Sequence, residues 1–463
     1  MYELPRLKGM IKPALPFVLL WVLMGALVVA GGASRAQVSG QVVVRIVAWL
    51  LLIVAALFGD RPKMDEMRPV VWLLGAGVLL VLLQLVPLPP ALWQALPGHG
   101  PMAASLTAAT AGNAWRPLAL SPGAAMNALS SLVVPATTLW LVAGLSTERR
   151  AQLLPLLLAV VVASTMAGLL QFSTGRIDNP LVNETVGVAS GTFANRNHFA
   201  LLLAVGCLLA SAWAFTQARP EAWRSVTATG LVLLFLLMIL STGSRAGALL
   251  GALALGLALV LSHRAITAGL GSRARWIPLA SIVGVLGLVC IFVLISVAAD
   301  RALSIDRIFA ADPGQDMRGR GLPTVLAMVR EYFPWGSGLG GFDPVFRMHE
   351  PFHLLKPTYF NHAHNDFLEI VLDAGLPGLL LLLAALSWWA WASVRAWRGD
   401  AVLPRLGSAI LLLVILASLV DYPARTPLIM AVMVIAAAWL SGSARAPAPS
   451  AAPLPSRSHS SIE

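Results

Sequence analysis

The sequence predicts an all-α polytopic membrane protein with about twelve transmembrane helices, cytoplasmic termini and one long external loop. Three observations carry that prediction. The 463 residues are 58% hydrophobic and only 11% charged, roughly half the charged fraction of a soluble domain. Apolar runs of about 18 residues or more, the length a helix needs to cross a bilayer, recur along the whole chain. Lys and Arg gather in the short breaks between those runs, where topology signals sit.

The runs fall at approximately 14–33, 42–59, 70–88, 124–145, 151–172, 198–216, 225–242, 246–262, 277–298, 366–394, 406–420 and 427–441. The first lacks a small-residue cleavage site and more spans follow it, so it is expected to stay as the first helix. Gly243, Gly247 and Gly251 recur at four-residue spacing, which suits close helix packing. In the run at 366–394, Gly375-Leu376-Pro377-Gly378 predicts a break. Cys207 and Cys290 both fall inside apolar runs, so neither a disulfide nor a metal framework is expected.

Alternate loops differ sharply in charge. One set carries Arg6, Lys8, Lys12, Arg61, Lys63, Arg68, Arg149, Arg150, Arg219, Arg224, Arg264, Arg273, Arg275, Arg395, Arg398 and Arg405, with Arg445 and Arg457 in the tail. The opposite short loops hold only Arg35, Arg116, Arg176, Arg196, Arg245 and Arg425. The positive-inside rule then places both termini in the cytoplasm. Residues 1–298 hold helices 1–9 with outer loops 89–123 and 173–197; 299–365 form the long outer loop; 366–441 hold three further helices. Trp93 and Trp115 of the first outer loop suit an interfacial layer. The Pro/Ala/Ser-rich tail 442–463 is expected to be disordered. The formal charge of +11 is explained by membrane lipid headgroups and an anionic substrate rather than by nucleic acid.

The polar stretch Phe360-Asn361-His362-Ala363-His364-Asn365-Asp366-Phe367-Leu368-Glu369 closes the longest polar region and opens an apolar one. A helix starting at Asp366 sets His364 at its outer N-terminus, where unpaired N–H groups and the helix dipole favour an anion. A neutral imidazole there can accept a proton from a hydroxyl. Asp366 and Glu369 read as favourable first-turn charges. His349-Glu350-Pro351-Phe352-His353 matches the H-E-x-x-H zinc pattern, but Pro351 opposes the continuous helix that pattern requires. Ser241-Thr242-Gly243-Ser244-Arg245-Ala246-Gly247 sets one arginine between two apolar runs. Arg318-Gly319-Arg320 precedes Pro334 and the glycine-rich Gly336–Gly341. Arginines converging on one histidine would suit phosphate, because guanidinium forks match its geometry.

Taken together, these motifs resemble the O-antigen ligase and polymerase superfamily of bacterial membrane glycosyltransferases. The resemblance rests on Phe193-Ala194-Asn195-Arg196-Asn197-His198-Phe199-Ala200, on Thr242-Gly243-Ser244-Arg245, on the Arg320-to-Pro334-to-Gly338 loop, and on His364-Asn365 followed after nine residues by Gly375-x-x-Gly378. It covers roughly residues 190–380 and makes the long external loop periplasmic. It implies transfer of a glycan from an undecaprenyl-diphosphate carrier, at the periplasmic face of the inner membrane, to an acceptor hydroxyl. That acceptor is a growing glycan for a polymerase, lipid A core for a ligase, or a protein for an O-oligosaccharyltransferase. The resemblance assigns the general base to His364 and the diphosphate ligands to Arg245 and Arg320, with no metal and no cofactor. His362, Asn365, Arg196, Asn197, Asp421 and Arg425 are further residues expected to line the site. The Asn195–His198 form leans towards a surface-polysaccharide polymerase. The competing class, a lipid-linked glycan flippase or solute transporter, predicts ionisable groups at mid-membrane. Arg45 is the clearest inside the spans, with Asp373 near a break.

Overall fold

The computed structural model describes residues 14–174, 179–182, 188–215, 221–270, 317–355 and 360–442. The expected run at 277–298, the first part of the long loop, and the tail from 443 lie outside the described residues. Among those described, the chain is mostly helical. The apolar helices are α1 (Leu15–Ala30), α2 (Ser39–Phe58), α3 (Arg68–Gln84), α4 (Pro122–Ala143), α5 (Leu153–Thr174), α6 (Arg196–Phe215), α7 (Ala222–Ser241) and α8 (Arg245–Leu270). After the long loop's own helices α9 (Met317–Tyr332) and α10 (Phe342–His349) come α11 (Asp366–Arg398), α12 (Val402–Ser418) and α13 (Pro427–Ser441). Among the described residues, eight helices are long and apolar enough to cross a membrane, while α1, α12 and α13 are shorter. Proline stands in the first turn of α1, α3, α4 and α13, where its missing N–H has no intrahelical role.

The packing centre is α6. It is the most enclosed of the eight long helices, and Phe199, Leu203, Cys207 and Leu208 along it are fully buried. The glycine series after α7 divides into two roles. Gly243 takes a φ of 62° in the turn between α7 and α8, a conformation open to glycine at little cost. Gly247 packs against α6, where a Cβ would lie 2.4 Å from the Ala200 Cβ.

Trp93 does not join an interfacial layer. It is buried, its Nε1–H donating to the Pro117 carbonyl at 2.8 Å, because a two-stranded ladder of Pro87–Leu88 with Arg116–Pro117 folds the connection between α3 and α4 back on itself. Trp115 is exposed.

The break in α11 governs the layout of the site. Gly375 adopts φ 55° and ψ −142° inside the helix, and Pro377 cannot donate to the Asp373 carbonyl one turn back. In a low-dielectric core such freed backbone groups need partners. The loop after α9 supplies them. Ser337 N–H donates to the Leu372 carbonyl and Gly338 N–H to that of Asp373, both at 2.9 Å; Leu376 N–H donates to the Pro334 carbonyl at 2.7 Å. Gln84 at the end of α3 adds a bond from Nε2 to the Asp373 carbonyl at 2.9 Å. The Pro334–Gly338 loop and the Gly375–Gly378 kink are therefore one interlocked unit.

Several connections meet at this end of the bundle. Ala194 N–H donates to the Gly32 carbonyl, Leu428 N–H to Gly31, Leu120 N–H to Ser337, and Gly40 N–H to Leu181.

Candidate active site

Asn365 caps α11, its Oδ1 accepting the Leu368 N–H at 3.0 Å while its Nδ2 donates to the Leu419 carbonyl at 2.9 Å. Both ends of that amide are occupied by protein, so Asn365 anchors the helix start to the α12–α13 connection. His364, just ahead of it, has φ 50°. This left-handed conformation costs a non-glycine residue about 1–2 kcal/mol and persists where surrounding contacts over-determine it.

Those contacts converge on Asp421. Its Oδ1 lies 3.2 Å from His364 Nδ1 and accepts the Tyr422 N–H at 3.0 Å. Its Oδ2 accepts from Asn195 Nδ2 at 3.1 Å and Asn197 Nδ2 at 2.6 Å. His198 Nε2 stands 3.8 Å away. Burial alone would raise the Asp421 pKa, but hydrogen bonds and charge from His198 and His364 hold the carboxyl well below the ordinary carboxylate range. An ionised carboxylate only accepts hydrogen bonds. The proton of a neutral His364 therefore sits on Nδ1, and Nε2 presents its lone pair.

The network runs further along the chain. Asn197 Oδ1 accepts from Ser244 Oγ at 2.8 Å, and Ser244 Oγ accepts the Gly247 N–H at 3.0 Å. Ser244 thus joins the Thr242–Gly247 turn to Asn197, Asp421 and His364. His198 is held by Thr426, with Oγ1 at 3.0 Å from Nδ1. Aromatic rings set the walls. Phe360 and Tyr422 lie 5.2 and 4.9 Å, centroid to centroid, from the His364 ring. Tyr422 also lies 4.2 Å from the His362 ring. Burial, with Asp421 adjoining, pushes the Tyr422 phenol up to about 12.

A second polar cluster lies beside the first. Asp366, Glu369 and Asp373 share one face of α11 and are all buried. Arg425 meets all three: Nε to Asp366 at 3.1 Å, and Nη1 to Glu369 at 3.1 Å and Asp373 at 3.7 Å. Burial opposes the Arg425 charge, but the three carboxylates outweigh it and raise its pKa. Glu369 also binds His362 Nδ1 at 2.8 Å and the Ala363 N–H at 2.8 Å. The acids are more than first-turn charges. With Arg425 they hold the backbone on which His364 stands.

Among the residues expected to line a site, His364, Asn197 and Asp421 join one network, and His362 and Arg425 join the adjoining one. Arg245 is the exposed first residue of α8, directly after Ser244, and Arg196 opens α6 beside Asn197. Arg320 Nη2 donates to the His353 carbonyl at 2.7 Å; its neighbour Gly321 packs on Phe360, the ring beside His364. The H-E-x-x-H stretch is not one helix. It ends α10 at His349, turns extended at Glu350, and His349 Nε2 faces Glu331 at 3.0 Å.

Sequence reasoning missed Asn195, His198, Ser244, Glu369 and Tyr422 as site residues. The first three stood inside stretches already notable for their motifs. Glu369 was legible from the spacing 366, 369 and 373, which places three acids on one helix face.

An O-antigen ligase family model matches residues 230–383. The match covers 154 of the 463 residues and supports the resemblance to the O-antigen ligase and polymerase superfamily. No curated protein matches the chain. The matched span contains Arg245, Arg320, His364 and the Gly375 kink. Asn195, Asn197, Asp421 and Arg425, which hold His364 and its backbone, come from outside it. The match supports an O-antigen ligase/polymerase-like function, and the apolar helices support a multi-pass membrane protein.

Proposed function

We propose that this protein transfers a glycan from an undecaprenyl-diphosphate carrier to an acceptor hydroxyl, at the periplasmic face of the bacterial inner membrane. The observation that carries the proposal is the His364–Asp421 pair, with Nδ1 engaged at 3.2 Å and Nε2 left as the basic nitrogen. Nε2 takes the proton of the acceptor hydroxyl. The freed oxygen attacks the anomeric carbon while the bond from that carbon to the phosphate oxygen breaks, and the electron pair leaves with undecaprenyl diphosphate. Arg245 and Arg320 receive the developing charge on the leaving diphosphate, the role that metal ions serve in other phosphate chemistry. A single displacement of this kind inverts the anomeric configuration. Asp421 acts through His364, fixing its tautomer and orientation and steadying the imidazolium that forms.

The Asn195–His198 run favours a polymerase acting on repeat units; the description of the matched family favours a ligase acting on lipid A core. A deletion strain separates them. Loss of long chains with a single repeat still attached marks a polymerase, whereas bare lipid A core with carrier-linked polymer accumulating marks a ligase. Enzyme and transporter are separated in detergent, where no second compartment exists. Purified protein should join glycan to acceptor in a donor-dependent way, and a protein that merely moves lipid-linked glycan would form no product.

A further inference from the structure

A cavity of about 940 Å³ lies at the end of the bundle away from His364, within the size range of small-molecule sites. The helices themselves measure the separation. α6 runs from Asn197 in the site to Trp213 on the cavity wall. α13 runs from its cap Thr426, beside His198, to Ser441 on that wall, and α11 from Asp366 to Trp391. At 1.5 Å per residue these paths are about 22 to 38 Å, against about 30 Å for a hydrocarbon core. The cavity and the reaction site therefore open at opposite faces of the bundle.

Trp213, Trp388, Trp391 and Trp439 stand on the cavity wall, and such amphipathic rings settle at headgroup level. The charged lining holds both signs, Arg150 and Arg224 with Asp65 and Glu66. Arg150 is paired with Glu66, yet its buried Nε has no hydrogen-bond partner among the described residues. Arg224 is set on the wall by the Trp213 ring, 5.1 Å from its Cζ to the centroid. Ala401 and Leu403 bring the start of α12 to the same cavity. Ala401 has no side-chain acceptor to cap that helix, and the first turn holds no acid. The first-turn N–H groups and the positive end of the helix dipole thus join the arginines in favouring an anion. A head of negative charge alone would meet Asp65 and Glu66; one of positive charge alone would meet the arginines and the helix start. A head that carries both signs suits both halves of the wall.

We propose that this cavity binds the head of a membrane phospholipid that carries a phosphate and a primary ammonium, as phosphatidylethanolamine does. The phosphate lies with Arg150, Arg224 and the first turn of α12, and the ammonium donates to Asp65 and Glu66. A quaternary ammonium has no N–H to donate there, and a glycerol head brings no positive charge. The bound lipid ties together the ends of α5, α6, α11, α12 and α13 in the leaflet opposite the reaction site. It takes no part in the glycan transfer proposed above, and the assignment does not depend on that reaction.

The test is lipid binding by the delipidated full-length protein in detergent, read by native mass spectrometry and by thermal melting. Wild type should hold one phosphatidylethanolamine and melt higher with it, while phosphatidylcholine and phosphatidylglycerol bind at least about tenfold more weakly, the scale of one lost hydrogen bond to a charged group. Ala401→Asp gives α12 the cap it lacks but sets a carboxylate where the phosphate sits. Without lipid it should melt no lower than wild type, and it should bind phosphatidylethanolamine about tenfold more weakly or worse. Asp65 is paired at the surface with the exposed Arg68, and such pairs contribute little to folding. Asp65→Asn should therefore stay folded and bind phosphatidylethanolamine no better than wild type binds phosphatidylcholine. Equal binding of the three lipids by wild type would overturn the proposal, as would wild-type affinity for phosphatidylethanolamine in both variants.

Discussion

At the scale of the residue, the chemistry depends on one imidazole held by one carboxylate. Asp421→Asn keeps the shape but loses the acceptor that fixes the His364 tautomer. It should lower kcat by about 10²-fold, within the usual worth of a positioned base, with the donor KM little changed, while the melting temperature at neutral pH falls with the loss of the stabilising charge. A loss of donor affinity with kcat unchanged would mark Asp421 as a packing residue instead. Its charge also makes a pH prediction. The folded pKa of Asp421 lies below the ordinary value, so its ionised form stabilises the fold above the ordinary carboxylate range. That contribution is lost as pH falls through the folded value. Below about pH 4, melting of wild type should fall more steeply than melting of Asp421→Asn, which has no carboxylate there to titrate; equal slopes would contradict the assignment. His364 was legible in the sequence as a polar residue at a helix start. Asp421 was expected to line the site, but its pairing with His364 was not legible, because 57 residues separate them and no local spacing links an imidazole to a carboxylate across two helices.

The kinked helix α11 is the element that turns separate motifs into one site. A Cβ at Gly375 would lie 2.0 Å from the Pro334 carbonyl oxygen. Gly375→Ala should therefore cost at least about 1–2 kcal/mol from the backbone conformation alone and lower the melting temperature in detergent. Gly256→Ala on α8, where a Cβ meets nothing within 4 Å, should melt like wild type, and equal behaviour of the two would refute the interlock. Arg425→Gln strands three buried carboxylates. Loss of one partner from a buried ionic cluster costs about 3–5 kcal/mol, so the variant should yield little folded protein. Wild-type yield and melting would show that the acids need no cation. The glycine and proline of the break were readable because each restricts the backbone in a known way. The partners of the break were hidden, since they come from the Pro334–Gly338 loop and from Gln84, far away in the chain. Trp93 misled for a related reason: an amphipathic ring fits either a membrane surface or a folded loop, and only the loop's pairing decides between them.

For the whole molecule, hydrophobic run length carried most of the information. Each expected run that falls among the described residues corresponds to an apolar helix, because a membrane helix must satisfy its own backbone and so announces itself in composition. The meeting of loops at one end of the bundle was less legible. It arises from backbone hydrogen bonds between distant turns, and those leave no trace in composition. It nevertheless brings residues from α6, α8, α11 and the α12–α13 connection to His364. The central claim at this scale is that the assembly is an enzyme whose base is His364. Its most direct test is donor-dependent glycan transfer by purified protein in detergent, comparing wild type with His364→Ala at matched folding. Wild type should form product while the variant forms none above background, although both melt alike. Near-wild-type transfer by His364→Ala would contradict the mechanism.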